Sequence, residues 1–305
     1  MISIVIPTYN EEENVERLYQ SIVEVVRTSP YEIIFIDDGS SDRTYEKLKL
    51  LNKKDNNVRI IKFRKNFGQT AAMDAGFKSA KGEIIIPMDA DLQNDPKDIP
   101  RLVKKLDEGY DVVSGWRKNR KDTFFKKFVS RGADKLRKIL LHDKIHDSGC
   151  TLKAYRKECF KDVNLYGEMH RFIPAILEWK GFKVTEIVVR HHDRKFGKTK
   201  YGFKRTLRGL LDMIVVKFWM QYSVRPMHMF GSLGFLTGLA GGIIMIYLLY
   251  VRFVLNWGIG NRPLFLLAIL LLVLATQFIV FGLIADILVK IYYKQDTNYS
   301  IKEKI

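Results

Sequence analysis

The sequence has few cysteines and no apolar leader segment. Its 305 residues include two cysteines, Cys150 and Cys159, which is too few for a disulfide framework or a cysteine-rich metal site. We expect both to be reduced packing residues in a reducing compartment. The first apolar run, Met1–Pro7, is too short for a secretory signal and is typical of a strand. The amino-terminal part of the chain is therefore expected to stay in the cytoplasm.

Two common phosphate-binding motifs are missing from the sequence. No G-x-G-x-x-G follows the first apolar run, and no G-x-x-x-x-G-K-[ST] occurs. Their absence argues against a dinucleotide-binding fingerprint and against a P-loop. The sequence also has no helix-turn-helix, RNA-recognition or zinc-finger pattern, so nucleic acid is not an expected partner.

Acidic residues are scarce relative to basic ones, with 34 Asp and Glu against 51 Lys and Arg and a net charge of +17. Much of the excess lies in residues 194–208, a run that contains no acidic residue. Such a run next to a hydrophobic span fits the positive-inside rule and attraction to anionic lipid headgroups. The charge therefore predicts a membrane surface as partner.

Two long apolar runs, Phe230–Val254 and Pro263–Tyr293, each exceed the roughly 20 residues that cross a bilayer. The first carries Gly234, Gly238 and Gly242 at four-residue intervals, a pattern that predicts a packing seam between the two spans or between two copies of the chain. We predict an integral protein of the plasma membrane with its large amino-terminal domain and both termini in the cytoplasm. The predicted parts are this domain (1–200), an amphipathic juxtamembrane helix (201–226), a two-helix transmembrane region (227–293) and a cytoplasmic tail (294–305).

The first part of the chain alternates short apolar runs with segments of helical spacing. Strands are predicted at Ile2–Ile6, Tyr31–Ile36, Val58–Phe63, Glu83–Met88 and Tyr110–Ser114. The intervening segments are predicted as helices, the first of them capped by Asn10 and the fourth opened by Asp95 and Pro96. This alternation is typical of an α/β domain with a mostly parallel, Rossmann-like sheet. Further helices are predicted at 121–141, 168–179 and 201–222, and a strand at 183–190.

Two carboxylates, Asp89 and Asp91, follow the fourth predicted strand with one residue between them. Residues at that spacing point to the same side of an extended backbone, and carboxylate oxygens are preferred ligands of Mg²⁺ and Mn²⁺. Other polar clusters also follow strand ends, which is where open α/β sheets bind ligands. The pattern predicts a site at one sheet edge in which a divalent cation holds a diphosphate.

Four segments together resemble the family 2 glycosyltransferases of the GT-A fold, in the branch that acts on polyprenyl phosphates. They are Ile4–Glu11, Ile36–Asp42, Asn66–Gln69 and Met88–Gln93. The resemblance covers the chain to about residue 210, and the two-span tail is similar to that of bactoprenol glucosyltransferases. It implies a GT-A catalytic domain, an interfacial helix and two transmembrane helices.

The resemblance also implies roles for single residues. Asp89 and Asp91 match the pair that holds the donor diphosphate through the metal, and Asp147 matches a candidate catalytic carboxylate. Arg117 and Arg131 resemble arginines that receive the acceptor phosphate. The remaining matches concern the nucleotide sugar: Pro7, Tyr9, Glu11 and Asp37 at the base and ribose, Gln93 beside the acidic pair, and Lys198 and Lys200 in a loop near the pyrophosphate.

The implied reaction is inverting transfer of a hexose from a nucleotide-diphosphate sugar, with UDP-glucose favoured, to a membrane polyprenyl phosphate. No Q-x-x-R-W signature follows residue 150, so a single transfer is favoured over chain extension. Three alternatives stay open at this stage. They are a GDP-mannose-dependent dolichol-phosphate mannose synthase, a transferase with another lipid or glycan acceptor, and, least favoured, a non-enzymatic membrane scaffold.

Overall fold

The structure is a computed structural model, and it divides into two units, Met1–Val216 and Lys217–Ile305. It describes residues 1–118, 144–161, 163, 165, 167–193, 203–222, 225–259 and 263–293. The helix predicted at 121–141, residues 194–202 of the basic run and the tail from residue 294 lie outside the described residues. The bounds of the four predicted parts stay predictions.

One sheet of seven strands forms the centre of the first unit within the described residues. Its strands are β1 (Ile2–Thr8), β2 (Tyr31–Asp37), β3 (Val58–Lys62), β4 (Ile84–Pro87), β5 (Val112–Trp116), β6 (Lys153–Arg156) and β7 (Val184–Val188). Their order across the sheet is β3-β2-β1-β4-β6-β5-β7. The pairs β1–β2, β2–β3, β1–β4 and β5–β7 are parallel, which confirms the prediction of a mostly parallel α/β sheet.

The strand β6 is the main departure from the predicted sheet, since no strand was predicted at 153–156. It runs antiparallel to both neighbours, β4 and β5. Its amino-terminal end therefore lies at the same sheet edge as the carboxyl ends of the parallel strands. The chain just before Lys153 is thereby brought to the edge where the sequence predicts the site.

The helices of the first unit are α1 (Val15–Val26), α2 (Thr44–Lys54), α3 (Gln69–Ser79), α4 (Ile99–Asp107), α5 (Ile173–Trp179) and α6 (Phe203–Tyr222), the last of which continues into the second unit. The predicted Asn10 cap is wrong, because α1 starts after Asn14 and Asn10 has a φ of 55°. Its side-chain oxygen instead accepts a hydrogen bond from the backbone N–H of Ser41 at 2.9 Å. Pro96 opens a short 3₁₀ turn, Pro96–Asp98, and not α4 itself.

Two apolar clusters cover the sheet. One joins α1, α2 and α4 to strand residues such as Ile4 and Phe35, and the other joins α3 and α5 to residues such as Ile34 and Ile85. Successive strand residues point to opposite faces, so the central strands, buried on both faces, read as continuous apolar runs. Cys150 and Cys159 are buried free thiols in these clusters, as the sequence predicts.

The second unit contains two long apolar helices, α7 (Pro226–Phe253) and α8 (Pro263–Tyr293). Their apolar stretches have mean hydropathies of 1.9 and 2.9, and both are long enough to cross a membrane by length and composition. Near the end of α8, the ammonium of Lys290 lies 2.9 Å from the carboxylate of Asp286. This contact is the ion pair that their spacing of four residues predicts.

The predicted glycine seam is correct at two positions and wrong at the third. A side chain added at Gly234 would lie 3.0 Å from the carbonyl oxygen of Ala275, and one at Gly238 would lie 3.3 Å from the Ala275 side chain. Gly241 continues the seam, since a side chain added there would lie 3.0 Å from the Leu271 side chain, whereas one added at Gly242 would meet nothing within 4 Å in the described part of the chain. Gly234, Gly238 and Gly241, spaced four and then three residues apart, stay on one face of a helix with 3.6 residues per turn. A second spacing of four, which leads to Gly242, turns away from that face. The seam lies between α7 and α8, and self-association of the chain stays a prediction.

The two adjacent glycines provide a matched test of this seam. We expect Gly241→Leu to destabilise the pairing of α7 and α8 by roughly 1–3 kcal/mol, the usual cost of overpacking. Gly242→Leu should be tolerated, although it makes the same gain in helix propensity. The measurement is the temperature at which the purified protein loses its monodisperse peak in detergent. Equal losses from both substitutions would contradict the seam.

Candidate active site

The candidate site lies at the sheet edge where β1, β2, β4 and β5 end and β6 begins. The β1–α1 and β2–α2 loops are hydrogen-bonded to each other there, since the N–H of Asn10 donates to Ser40 Oγ and the N–H of Arg43 to Glu12. Parallel strands flanking a change in strand order leave a crevice at this edge. The fold therefore collects side chains from several loops at one place.

Asp37 is the last residue of β2 and Asp38 follows it, and the two carboxylates lie in different environments. Asp38 accepts hydrogen bonds from the backbone N–H groups of Phe67 and Gly68, at 2.7 and 2.9 Å, and so holds the loop after β3. Burial raises the pKa of Asp38, against the effect of these two bonds. Asp37 is fully buried, and its Oδ1 accepts from the N–H of Ser40 at 3.1 Å. Within the described residues, its buried Oδ2 has no hydrogen-bond partner, which is unusual for a buried polar group.

The loop after β3 lies very close to the β2 loop, and a glycine permits this. Gly39 has a φ of 71°, and a side chain there would lie 2.5 Å from the backbone of Lys65. Only a glycine allows this approach without strain. The loop 64–68 is thereby held beside Asp37, with Phe67 more than half exposed and packed edge-on against Phe63.

Asp89 is fixed by two side-chain donors. Its Oδ1 accepts from the amide of Gln69 at 2.8 Å, and its Oδ2 accepts from the hydroxyl of Thr151 at 2.5 Å. Continuing the register of β4 and β6 beyond Ile85 and Tyr155 places Asp89 opposite Thr151. This contact between residues 62 positions apart therefore follows from the antiparallel strand.

Asp91 lies in the tight turn that follows Asp89. Its Oδ1 accepts from the backbone N–H of Gln93 at 3.1 Å, and Leu92 between them has a φ of 63°. Gln93 is tied in turn to the segment after β7, because its carbonyl accepts from the N–H of His192 at 2.9 Å. The backbone of the turn is thus held at both ends.

The acidic pair fits a divalent cation of the hard class. Mg²⁺ and Mn²⁺ take oxygen ligands, and Mg²⁺ is usually held by one or two carboxylates together with waters and substrate phosphates. Each carboxylate oxygen has two lone pairs, so the donors on Asp89 leave it acceptor capacity. Hydrogen bonds from Gln69 and Thr151 would orient such a ligand, as is usual around metal sites.

Arg117 and Asp147 form a buried, bidentate ion pair. Nε of Arg117 donates to Oδ2 of Asp147 at 2.7 Å and Nη2 donates to Oδ1 at 2.9 Å. Their side chains are only 13% and 14% exposed. Burial would raise the pKa of Asp147, but the hydrogen bonds and charge of Arg117 outweigh it and hold this pKa below its usual value. Asp147 is therefore an ionised carboxylate and a weak base.

Lys153, the first residue of β6, is a buried cation beside this pair. It is 3% exposed, and its ammonium donates to the carbonyl oxygen of Ser148 at 3.2 Å and to that of Cys150. Burial lowers the pKa of Lys153, while the charges of Asp147 and Asp89 act in the opposite direction. The site thus contains two basic groups among its acidic ones.

Residues 3–163 match the family model "Glycosyl transferase family 2". The chain belongs to this family. The match covers the sheet edge described above, from β1 to the end of β6. The observed architecture is a GT-A-like domain followed by two apolar helices, in agreement with the fold implied by the sequence resemblance.

Several polyprenyl-phosphate sugar synthases and transferases are similar over nearly the whole chain. The chain is 42% identical to the dodecaprenyl-phosphate galacturonate synthase of Rhizobium johnstonii, over 99% of this chain and 92% of that protein. It is 33% identical to the undecaprenyl-phosphate 4-deoxy-4-formamido-L-arabinose transferase of Serratia proteamaculans, over 95% of this chain and 89% of that protein. Both alignments include the two apolar helices, because they cover 99% and 95% of this chain.

Solved structures share the fold at lower sequence identity. One is glucosyl-3-phosphoglycerate synthase from Mycobacterium tuberculosis in complex with Mn²⁺ and uridine-diphosphate-glucose. It superposes with a TM-score of 0.53 and 19% identity, over 71% of this chain and 78% of that chain. This likeness supports the GT-A fold of the glycosyltransferase.

The structure brings together most of the residues predicted for the site. Pro7 is the last residue but one of β1, and Asp37 is the last residue of β2. The others lie in loops at the same edge: Tyr9, Glu11, Asp89, Asp91, Gln93, Arg117 and Asp147. The predicted residues Arg131, Lys198 and Lys200 lie outside the described residues. The roles of all these residues stay predictions, and Arg117 and Asp147, predicted separately, are found bound to each other.

Sequence reasoning missed three contributors: Gln69, Thr151 and Lys153. Gln69 ends one of the four segments that carry the family resemblance, but the resemblance assigns it no role. Lys153 carried a usable signal, because a lysine flanked by Leu152 and Ala154 is unusual in a buried strand. Thr151 had no local signal, since its contact with Asp89 depends on the pairing of β6 with β4.

Proposed function

We propose that this glycosyltransferase moves a sugar from a nucleotide-diphosphate sugar to a polyprenyl phosphate, with inversion at the anomeric carbon. The observation that carries the proposal is similarity over 99% of the chain to a dodecaprenyl-phosphate galacturonate synthase. The acidic pair and the buried Asp37 at the sheet edge supply groups that such a reaction needs. A non-enzymatic scaffold would not need a pair of oriented carboxylates.

The donor nucleotide is assigned to the crevice between β1 and β2. The partnerless Oδ2 of Asp37 is a strong acceptor for an N–H of the base or a hydroxyl of the ribose. Pro7, Tyr9 and Glu11 line the opposite side of this crevice in the proposal, and Lys198 and Lys200 approach the pyrophosphate. UDP is the favoured nucleotide, in line with the ligand of the structural neighbour.

Asp89 and Asp91 would hold the Mg²⁺ or Mn²⁺ ion, with Gln69 and Thr151 orienting Asp89. When bound, the ion neutralises charge that develops on the departing nucleotide diphosphate. The protein's contribution is to keep the carboxylates oriented before the donor arrives. The backbone N–H of Gln93 donates to Asp91 and so fixes the turn that follows this carboxylate.

The acceptor phosphate is assigned to Arg117 and Arg131. A phosphate monoester is an anionic oxygen nucleophile at neutral pH, so it needs little help from a general base. Asp147 is the group predicted for that task, and its lowered pKa and its bidentate contact with Arg117 make it better suited to positioning. We assign Asp147 the role of holding the Arg117 guanidinium, which retains further N–H donors for a phosphate oxygen.

A membrane location follows from the chemistry of this acceptor. A polyprenyl phosphate keeps its tail in the bilayer and exposes its headgroup at the surface. The apolar α7 and α8 suit a membrane-inserted protein, and the basic run at 194–208 suits the cytoplasmic face. We therefore place the catalytic domain and both termini in the cytoplasm.

One assay tests the proposal. Membranes with the full chain are incubated with a short polyprenyl phosphate, Mn²⁺ and one donor each from UDP-glucose, UDP-galacturonate, UDP-4-deoxy-4-formamido-L-arabinose and GDP-mannose. The expected result is one polyprenyl-phosphate sugar, identified by mass and lost on chelation. UDP-glucose is the donor predicted from the sequence, while the relatives' names add galacturonate and 4-deoxy-4-formamido-L-arabinose as sugars. A matched arm offers the water-soluble 3-phosphoglycerate as acceptor, and equal transfer to it would contradict the lipid acceptor.

A further inference from the structure

The loop of residues 147–151, here called the site loop, is pinned at both ends to the active site. At its start, Asp147 binds Arg117 through both carboxylate oxygens. At its end, the Thr151 hydroxyl binds Asp89 at 2.5 Å. One short segment therefore links the group assigned to the acceptor phosphate with the group assigned to the donor.

The middle of the site loop is held by Lys153. The carbonyl groups of Ser148 and Cys150 both point at its ammonium, which supplies three donors from one atom. Gly149 lies between them, and a side chain there would come within 3.2 Å of the Arg117 guanidinium. The loop is thus folded tightly over the Arg117–Asp147 pair, with its carbonyls turned inward to Lys153.

A purely structural reason for this lysine is weak. A buried ammonium loses its hydration, and a well-packed apolar side chain of similar volume is often at least as stabilising. The residues before and after Lys153 in the chain are the apolar Leu152 and Ala154, both fully buried. A charge in this strand is therefore costly unless the contacts that it makes with the site loop are needed.

We propose that Lys153 is a positioning residue of the transfer site. Its ammonium holds the site loop in the shape that keeps Asp147 on Arg117 and Thr151 on Asp89. Lys153 itself does not touch the substrates in this assignment, because it lies behind the loop and is almost wholly buried. The link to sugar transfer rests on the proposed function, whereas the effect on the loop does not.

The test compares the full chain in detergent with Lys153→Met, Lys153→Arg and the control Lys157→Met. Lys157 is exposed, and its N–H binds the carbonyl of Glu83, the residue before β4, at the opposite sheet edge. Two quantities are measured: amide hydrogen exchange in peptides covering 147–151, and kcat and KM of transfer with the donor selected by the panel.

For Lys153→Met we expect exchange in the site loop to become about tenfold faster, as its carbonyl contacts are lost. The kcat should fall about 100-fold with little change in KM, because small misplacements of reacting groups are that costly. Lys153→Arg keeps the charge and the donors, so its kcat should be about tenfold higher than that of Lys153→Met. Lys157→Met should match the wild type in both measurements.

The proposal is overturned if Lys153→Met shows either wild-type exchange in the site loop or a wild-type kcat. If that variant does not fold, Lys153→Gln decides by the same readouts, because it removes the charge, and a wild-type kcat and exchange rate for it would overturn the proposal. If the wild type transfers no sugar to polyprenyl phosphate, the proposed function fails. The exchange measurement still decides whether Lys153 holds the loop.

Discussion

Replacing both Asp89 and Asp91 with asparagine should reduce sugar transfer by at least about 10³-fold, while the protein stays folded. The loss corresponds to about 4 kcal/mol of transition-state stabilisation, within the range supplied by a bound cation at a departing diphosphate. Asparagine keeps the size of each side chain, and the amide oxygen that Asp89→Asn introduces would still accept the bond from Gln69 or Thr151. The measurements are initial rates over a Mn²⁺ titration and the Mn²⁺ affinity of the protein with UDP present.

The matched control for this prediction is Asp107→Asn. Asp107 ends α4, has a side chain that is 63% exposed, and has its Oδ1 3.7 Å from Nη2 of Arg156. The same chemical change there should leave both the rate and the Mn²⁺ affinity unaltered. Wild-type turnover by the double variant, or full activity after exhaustive chelation, would refute the assignment of Asp89 and Asp91.

Breaking the Arg117–Asp147 pair from one side should cost both stability and activity. Asp147→Leu leaves the Arg117 guanidinium buried without its partner, and removal of one member of a buried pair typically costs about 3–5 kcal/mol. We expect roughly the lower end, since the side chains retain 13% and 14% exposure. Chemical denaturation of the detergent-solubilised protein measures this free energy of unfolding.

The double variant Arg117→Met, Asp147→Leu separates scaffolding from function. Replacing the whole pair by apolar side chains removes the uncompensated charge, so we expect most of the lost stability to return. Activity should stay low, because no guanidinium is left to bind the acceptor phosphate. The measurement that separates a structural role from acceptor binding is the KM for polyprenyl phosphate, determined on the activity that the double variant retains. A stable double variant with a wild-type KM would show that the pair is only structural.

The pH dependence of this pair follows from the lowered pKa of Asp147. Arg117 holds that pKa below the unfolded-state value of about 3.9. The stabilisation is therefore complete above the unfolded-state pKa and is lost as the pH falls through the lower, folded-state pKa. Asp147→Asn should accordingly lower the transfer rate by the same factor at every pH between 6 and 8. The shape of the pH–rate profile in this range should therefore match that of the wild type.

Local patterns were sufficient for the parallel part of the fold and for its acidic site residues. The strand near Ile4 and the strand ending at Asp37 are continuous apolar runs because both faces of a parallel sheet are buried. Asp37 and Asp89 could be placed at one edge because the carboxyl ends of parallel strands meet there. Composition alone likewise identified α7 and α8, since the length of a bilayer-crossing helix is fixed by the thickness of the hydrocarbon.

Contacts that depend on register were decided only by the tertiary structure. The pairing of Arg117 with Asp147 joins residues 30 positions apart, and that of Asp89 with Thr151 joins residues 62 apart. Both require β6 to lie antiparallel between β4 and β5. A four-residue strand has too few residues to show a period, so its insertion has no local signal.

The amino-acid sequence by itself determined the family, the mostly parallel sheet, the acidic pair and the two apolar helices, because each depends on residues close together in the chain. The tertiary structure alone decided that Arg117 and Asp147 form an ion pair, that the Lys153 ammonium contacts two carbonyls of the site loop, and that Gly241 faces α8 where Gly242 does not. The physical reason is that these contacts depend on strand register and helix rotation. A shift of one residue in either would replace every partner.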